Sequence, residues 1–306
     1  MLDASLKIGV LYGGFSSERP VSIKSGTAVL ESLKRMGFSV VAIDPRSPNY
    51  KKKLKQIELA FIALHGEYGE DGQVQRALEK MKIPYVGSDA ASMVISFDKL
   101  KTKRVLKKHR LPTPAFRVLT SKNWRSEASR FKGPFFIKPL TEGSSVGVEL
   151  IENFAQDADK ILKSVKLYGQ ILAEQKITGR EVTAGIVGSH KLPVVEIKTQ
   201  RAFYDYTAKY TPGFTQYVTE HGLAPASVKR IQKLAARVFK VLGMRDFGRI
   251  DMMLDEKERP YVLEANSIPG FTAMSLLPKA AQKAGITFDE LVLMILKMAF
   301  KRSKIR

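Results

Sequence analysis

Four side chains near the C-terminal end have the types and spacing that chemistry needs. In Gly248-Arg-Ile-Asp-Met-Met-Leu254, Arg249 and Asp251 lie two residues apart, as do Glu264 and Asn266 in Tyr261-Val-Leu-Glu-Ala-Asn266. Both segments read as strands, so each pair shares one strand face. The turn Asp255-Glu-Lys-Glu-Arg259 suggests an antiparallel hairpin in which Asp251, Glu264 and Asn266 converge. Two carboxylates and an amide oxygen are hard ligands, suited to Mg²⁺ bridged by phosphates. The plainer reading is a wet strand face, but so many polar groups in such apolar strands argue against it.

A second constellation is Phe135-Phe-Ile-Lys-Pro-Leu-Thr-Glu-Gly-Ser-Ser-Val-Gly147. Lys138 sits in an apolar strand, where a lysine needs an anionic partner. The Gly/Ser loop after it offers backbone N–H groups and hydroxyls that can cover phosphates. No Gly-Lys-Ser/Thr follows, so it is not a Walker A loop. Gly143-Ser-Ser-Val-Gly147 also fits the serine-hydrolase pattern, which requires a strand-to-helix elbow. Here the loop runs on into another strand, and nothing near His221 supports a triad.

At the other end, Gly13-Gly-Phe-Ser-Ser-Glu-Arg19 lies where a first strand meets its helix, an edge that ligands favour in open α/β sheets. Helix capping is an equally simple use for Ser17 and Glu18. His65, in Ala63-Leu-His-Gly66, follows a strand and could reach the same cleft, although a lone histidine is more often structural. Lys99 is one of many lysines in its helix. Phe203-Tyr-Asp-Tyr-Thr-Ala-Lys-Tyr210 is an aromatic loop of the kind that closes over ligands.

These groups need a scaffold. Apolar runs at 6–12, 38–43 and 59–64, alternating with a helix over 21–36, predict a parallel sheet with covering helices. A basic helix over 98–109 ends at Leu111-Pro-Thr-Pro114, whose prolines disfavour further helix. Short strands around a helix at 154–165 follow, then a helix at 226–242, strands at 247–254 and 260–265, and two final helices. The class is α/β, α+β overall. With 306 residues the chain divides into two or three domains.

The chain holds no cysteine, which excludes disulfides and thiolate chemistry. Its start lacks the marks of a signal peptide, and no run approaches the roughly 18 apolar residues of a membrane helix. Cytoplasm is the expected compartment, without membrane insertion. The net charge of +21 is concentrated in Asp98 to Gly133, with twelve Lys/Arg against two acids, and in Lys297 to Arg306, with five against none. Such a surface can attract nucleic acid. Without zinc-finger spacing or interleaved aromatics, the expectation is no nucleic-acid partner.

Taken in order, Gly-Gly-x-Ser-x-Glu-Arg, Ala-Leu-His-Gly, Asp-Lys, Lys-Pro-x-x-Glu-Gly-Ser-Ser-Val-Gly, Tyr-Asp-Tyr-x-x-Lys-Tyr, Gly-Arg-Ile-Asp and Glu-Ala-Asn-x-x-Pro-Gly resemble the D-alanine–D-alanine ligases of the ATP-grasp superfamily. The resemblance covers nearly the whole chain. It implies three domains, placed at 1–98, 99–185 and 186–306, with ATP between the last two. It implies ligation of two D-alanines through an acyl phosphate, for peptidoglycan precursors, and a homodimer. In the family's pattern, Asp251, Glu264 and Asn266 hold two Mg²⁺ ions, for which Mn²⁺ can substitute. Lys99 and Lys138 contact the phosphates, with Ser145 and Lys209 also on the nucleotide side, and Glu174 and Glu181 hold the adenine and ribose edges.

Still by resemblance, Glu18 pairs with the ammonium of the first D-alanine, near His65. Arg249 and the Gly270 N–H stabilise oxyanion charge, while Ser275, Leu276 and Lys209 receive the second D-alanine. Ser144 and Tyr210 link Glu18 to the closing loop. Tyr210 favours an amine acceptor over D-lactate, although a D-alanyl-D-lactate ligase or another ATP-grasp carboxylate–amine ligase is the alternative. Gln175 stands where many relatives have lysine, and Pro20 where an acid is common.

Overall fold

The structure, a computed structural model, describes residues 5–201, 203–204, 208, 211 and 213–303. Three sheets follow one another along the chain. The first holds β1 (Lys7–Leu11), β2 (Ser39–Ile43) and β3 (Leu59–Ile62), all parallel, in the order β2-β1-β3. Its strands are continuous apolar runs because helices such as Arg19–Arg35 cover it; Ile8, Val10, Leu59 and Phe61 are wholly buried.

The second sheet is antiparallel, with β4 (Phe116–Thr120), β5 (Phe135–Pro139), β6 (Glu149–Ile151) and β7 (Gln170–Gln175) in the order β4-β7-β5-β6. The helix Ala158–Tyr168 packs on it through Ile161 and Val165. The third sheet holds β8 (Arg180–Val187), β9 (His190–Lys191), β10 (Val195–Thr199), β11 (Thr215–Val218), β12 (Phe247–Leu254) and β13 (Pro260–Asn266). Its order is β11-β10-β8-β12-β13, with β9 paired to β8. The step from second to third sheet thus falls between Gln175 and Arg180, and β8 runs across the 185/186 position at which the sequence suggests a division.

Two helices bridge the first sheet to the second. Asp98 ends Ala90–Phe97 in an extended conformation, and its carboxylate accepts the Lys101 N–H to start Lys99–Lys108. The first of these helices is absent from the sequence reading. Ala-Ala-Ser-Met-Val-Ile-Ser-Phe has no charged face to mark it, and it packs against both the following helix and β13.

The first and third sheets share a core. Ile8, Val10, Leu59 and Phe61 belong to the same apolar cluster as Phe247, Phe271 and the helices Leu276–Lys283 and Phe288–Ser303. Phe271 is the pivot, with ring centroids 5.6 Å from Phe61, 5.6 Å from Phe247 and 5.8 Å from Phe288. Its N–H donates to the Ser25 hydroxyl at 3.0 Å. The loop carrying Gly270 is thereby anchored to the N-terminal domain. Phe271→Ala is expected to cost about 3–5 kcal/mol of stability, read as a lowered denaturant midpoint; an unchanged midpoint would remove Phe271 from the shared core.

Candidate active site

Residues of the β12/β13 ladder form one wall of a cleft. Arg249 pairs with Asn266 and Asp251 with Glu264 in the antiparallel register. The four therefore share a face, as the two-residue spacing requires. The register slips after Asp251: Met252 faces Val262, and Leu263 is the extra residue of a bulge. Across the slip, both Leu263 and Glu264 point into the cleft.

The ions in this wall are paired. Arg249 clasps Asp251 through Nε and Nη2, each at 2.8 Å, and the Thr183 hydroxyl on β8 donates to the same carboxylate at 2.5 Å. Burial alone would lower the Arg249 pKa, but Asp251 outweighs it and raises it. The Asn266 Oδ1 atom is buried and has no hydrogen-bond partner among the described residues. An orphaned amide oxygen beside two carboxylates is the donor set that a hard divalent cation satisfies.

The cleft has two compartments. The larger, about 770 Å³, is lined by Glu18, His65, Arg249, Gly270, Ser275 and Leu276, among others. The smaller has apolar walls of Phe136, Val148, Phe203, Met253 and Leu263, with Lys138, Glu174 and Glu181 at its polar edge. Ser145 and Gln175 also line it, and the Gln175 amide donates to the Pro134 carbonyl at 3.0 Å. Lys99, Glu142, Tyr204 and Glu264 line both compartments and so mark their junction. Apolar plates with a few polar edges suit a heterocycle, and a lysine at the junction suits the phosphates that trail from it.

Lys138 has its anionic partner in Glu174, on neighbouring β7. Glu174 is buried, which would raise its pKa, yet Lys103 and Lys138 outweigh that and hold it below the usual range. Lys99 donates to the Glu142 carbonyl at 2.5 Å, at the start of the Gly/Ser loop.

That loop reaches the N-terminal domain. Ser144 donates to Glu18, and Ser145 donates to the Tyr204 carbonyl at 2.9 Å. A Cβ on Gly143 would fall 2.6 Å from Glu18 Oε2, so any larger residue would require the Glu18 carboxylate to shift. Both serines have φ in the left-handed region, at 50° and 60°, an arrangement costing on the order of 1–3 kcal/mol each. The Glu18 side chain makes no capping bond to its helix, so its carboxylate faces the cleft. Ser275 begins the helix Leu276–Lys283, but its hydroxyl turns to Thr272 at 2.9 Å instead of capping. Lys209 and Tyr210 lie outside the described residues.

Two groups here escaped the sequence reading. Glu70 lines the larger compartment and accepts the Gly66 N–H at 3.0 Å. Burial, then the charge of Glu18, pushes its pKa well above the usual carboxylate range. Its one signal was an acidic stretch, Glu67 to Asp71, in a basic chain. The other is Lys103, buried at the centre of the ion pairs with Glu174.

A family model described as D-ala D-ala ligase C-terminus matches residues 105–297, and one described as D-ala D-ala ligase N-terminus matches residues 44–88. The chain is 41% identical to a D-alanine--D-alanine ligase of Carboxydothermus hydrogenoformans, over 97% of this chain and 99% of that one. It is 42% identical to one of Nitrosococcus oceani, over 97% and 94%. In structure it resembles the D-alanine--D-alanine ligase of Bacillus anthracis complexed with ATP, with TM-score 0.86, 31% identity, and 98% and 99% of the two chains covered.

His65 yields a test of this site's electrostatics. It is 6% exposed, its Nε2 lies 3.2 Å from the Ser25 hydroxyl, and burial lowers its pKa to about 4. The folded state therefore holds it neutral while the unfolded chain protonates it near pH 6.5. The penalty is absent above that pH, grows as pH falls toward 4, and is constant below. Its full size is on the order of 3 kcal/mol. Stability measured from pH 7 down to 4 is expected to fall less steeply in His65→Gln; parallel slopes would contradict a neutral His65.

Proposed function

We propose, for a chain that belongs to the D-alanine–D-alanine ligase family, that it joins two D-alanines with ATP as co-substrate, forming D-alanyl-D-alanine, ADP and phosphate. The observation that carries this reading is the junction of the two compartments, which Lys99 and Glu264 both line, with Arg249 in the wall of the larger one. A base enters the smaller compartment along Glu174 and Glu181, and its phosphates run toward Lys138, Lys99 and Ser145. Asp251, Glu264 and the unpartnered Asn266 oxygen would hold two Mg²⁺, or Mn²⁺, which neutralise phosphate charge when bound.

In the larger compartment Glu18 takes the ammonium of the first D-alanine, and Ser144 holds Glu18 in place. The substrate carboxylate oxygen attacks the γ-phosphorus; the new P–O bond forms as the bond to ADP breaks, giving an acyl phosphate. The neutral amine of the second D-alanine then attacks the carbonyl carbon. Arg249 and the Gly270 N–H stabilise the oxyanion, the C–O bond to phosphate breaks, and the amine's proton leaves with the departing phosphate. Ser275, Leu276 and Lys209 hold the second carboxylate, at a helix start with no side-chain cap. His65, kept neutral, orients groups behind the first substrate rather than supplying charge.

Three domains belong to this reading, with the second giving way to the third between Gln175 and Arg180 rather than at 185/186, as does a homodimer. A cytoplasmic site follows from the supply of ATP; among the described residues no helix is long and apolar enough to cross a membrane. The product would enter peptidoglycan precursor synthesis.

Phosphate release measured with ATP, Mg²⁺ and D-alanine is expected to exceed release with L-alanine or D-lactate, with D-alanyl-D-alanine as product. Release indifferent to D-alanine would sink the dipeptide assignment, and a depsipeptide formed preferentially would move it to D-lactate. Asp251→Asn is expected to lower phosphate release by at least about a hundredfold; a fully active variant would contradict its place at the phosphates.

A further inference from the structure

Lys103 lies in the helix Lys99–Lys108 and is fully buried, alone among that helix's lysines. Its position between Leu100 and Leu106 is an apolar-face position, where an apolar side chain is the usual occupant. A buried ion pair seldom adds net stability over such packing, so stability does not account for the lysine.

Its three ammonium protons are all used. Nζ donates to the Thr113 hydroxyl at 2.6 Å, to the Val262 carbonyl at 2.9 Å and to Glu174 Oε1. Glu174 gives its other oxygen to Lys138. Val262 is the residue just before the bulge that turns Leu263 and Glu264 into the cleft. The Thr113 hydroxyl donates to the same Val262 carbonyl at 2.7 Å, and the Val262 N–H donates to the Pro112 carbonyl at 2.9 Å. One ammonium thus joins a wall of the smaller compartment on β7 to the backbone that sets Leu263 and Glu264 on β13.

From this geometry we infer that Lys103 is a positioning residue for the nucleotide, holding Glu174 and the β13 bulge in the single arrangement that shapes the base compartment. The inference rests on the ATP-dependent reading above. Lys103 touches no substrate; it acts through Glu174 and through the Val262 carbonyl. Burial, opposed by Glu174, lowers its pKa to about 8, so near neutral pH it keeps the proton that the arrangement needs.

The test is a double-mutant cycle of Lys103→Met, Glu174→Gln and the pair, reading ADP affinity by titration calorimetry and Michaelis constants in the full chain near neutral pH. Lys103→Met is expected to weaken ADP binding and raise the KM for ATP by about tenfold or more, while the KM for D-alanine stays within about twofold. The pair is expected to bind ADP no more weakly than Glu174→Gln alone, because the two residues act as one unit.

Unchanged ADP affinity in Lys103→Met, or losses that multiply in the pair, would overturn the inference. So would equal rises in both Michaelis constants, which a general loosening of the fold predicts. If Lys103→Met does not fold, the comparison of the pair with Glu174→Gln decides: equal ADP affinity supports the inference and a further loss overturns it. A wild-type chain that binds no adenine nucleotide removes the ATP reading and this inference together. An active wild type with an indifferent Lys103→Met removes the inference alone.

Discussion

The antiparallel ladder between β12 and β13 is the constraint on which the site depends. It sets Arg249 opposite Asn266 and Asp251 opposite Glu264, so four polar side chains meet without any loop having to place them. A slip of β13 by one residue would turn Glu264 and Asn266 toward the core under the helix Pro225–Val241, while β8 holds Arg249 and Asp251 in place. The bulge after Asp251 changes the phase of β13 once, which lets an apolar residue, Leu263, face the base compartment next to an acid that faces the junction. β8 secures the other side of β12, where Thr183 pairs with Asp251 in register and donates to it.

Charge in this interior comes in alternating sign. Glu174 lies between Lys103 and Lys138, and Arg249 clasps Asp251. Desolvation makes any unpaired buried ion costly, so the segments that bring these partners together must meet in one arrangement or none. The helix Lys99–Lys108, β5, β7 and β13 are thereby tied across the boundary between the second and third sheets. The excess of +21 is carried mostly elsewhere, on solvent-facing lysines and arginines such as Lys101, Lys107 and Lys108.

The Gly/Ser loop ties the first sheet's surroundings to this frame. Ser144 reaches Glu18 and Ser145 reaches the backbone of Tyr204, so a loop of the second sheet touches both the residue before the helix Arg19–Arg35 and the segment that precedes β11. Two successive serines in the left-handed region hold that bridge open in a way the chain does not favour locally. The tertiary contacts sustain it. Phe271 does the same for Gly270 on the opposite side of the cleft, fixed to Ser25 and Phe61.

Local pattern alone determined much here. Strand positions at 7–11, 39–43, 59–62, 247–254 and 260–266 were legible to within about two residues, since period-two spacing and apolar runs are properties of adjacent residues. That Arg249 and Asp251 share a face, and Glu264 and Asn266 likewise, follows from the same period. Lys138 announced the need for an anion without naming it. What the tertiary structure decided are partnerships across long separations: Lys103 with Glu174 is 71 residues apart, Lys103 with Val262 is 159, Ser144 with Glu18 is 126, and Phe271 with Ser25 is 246. In sequence, Lys103 is one lysine among several in its helix, and nothing in β13 spells out a bulge. A residue's type and periodicity are local, but its burial and its choice of ionic partner depend on which distant segments pack against it.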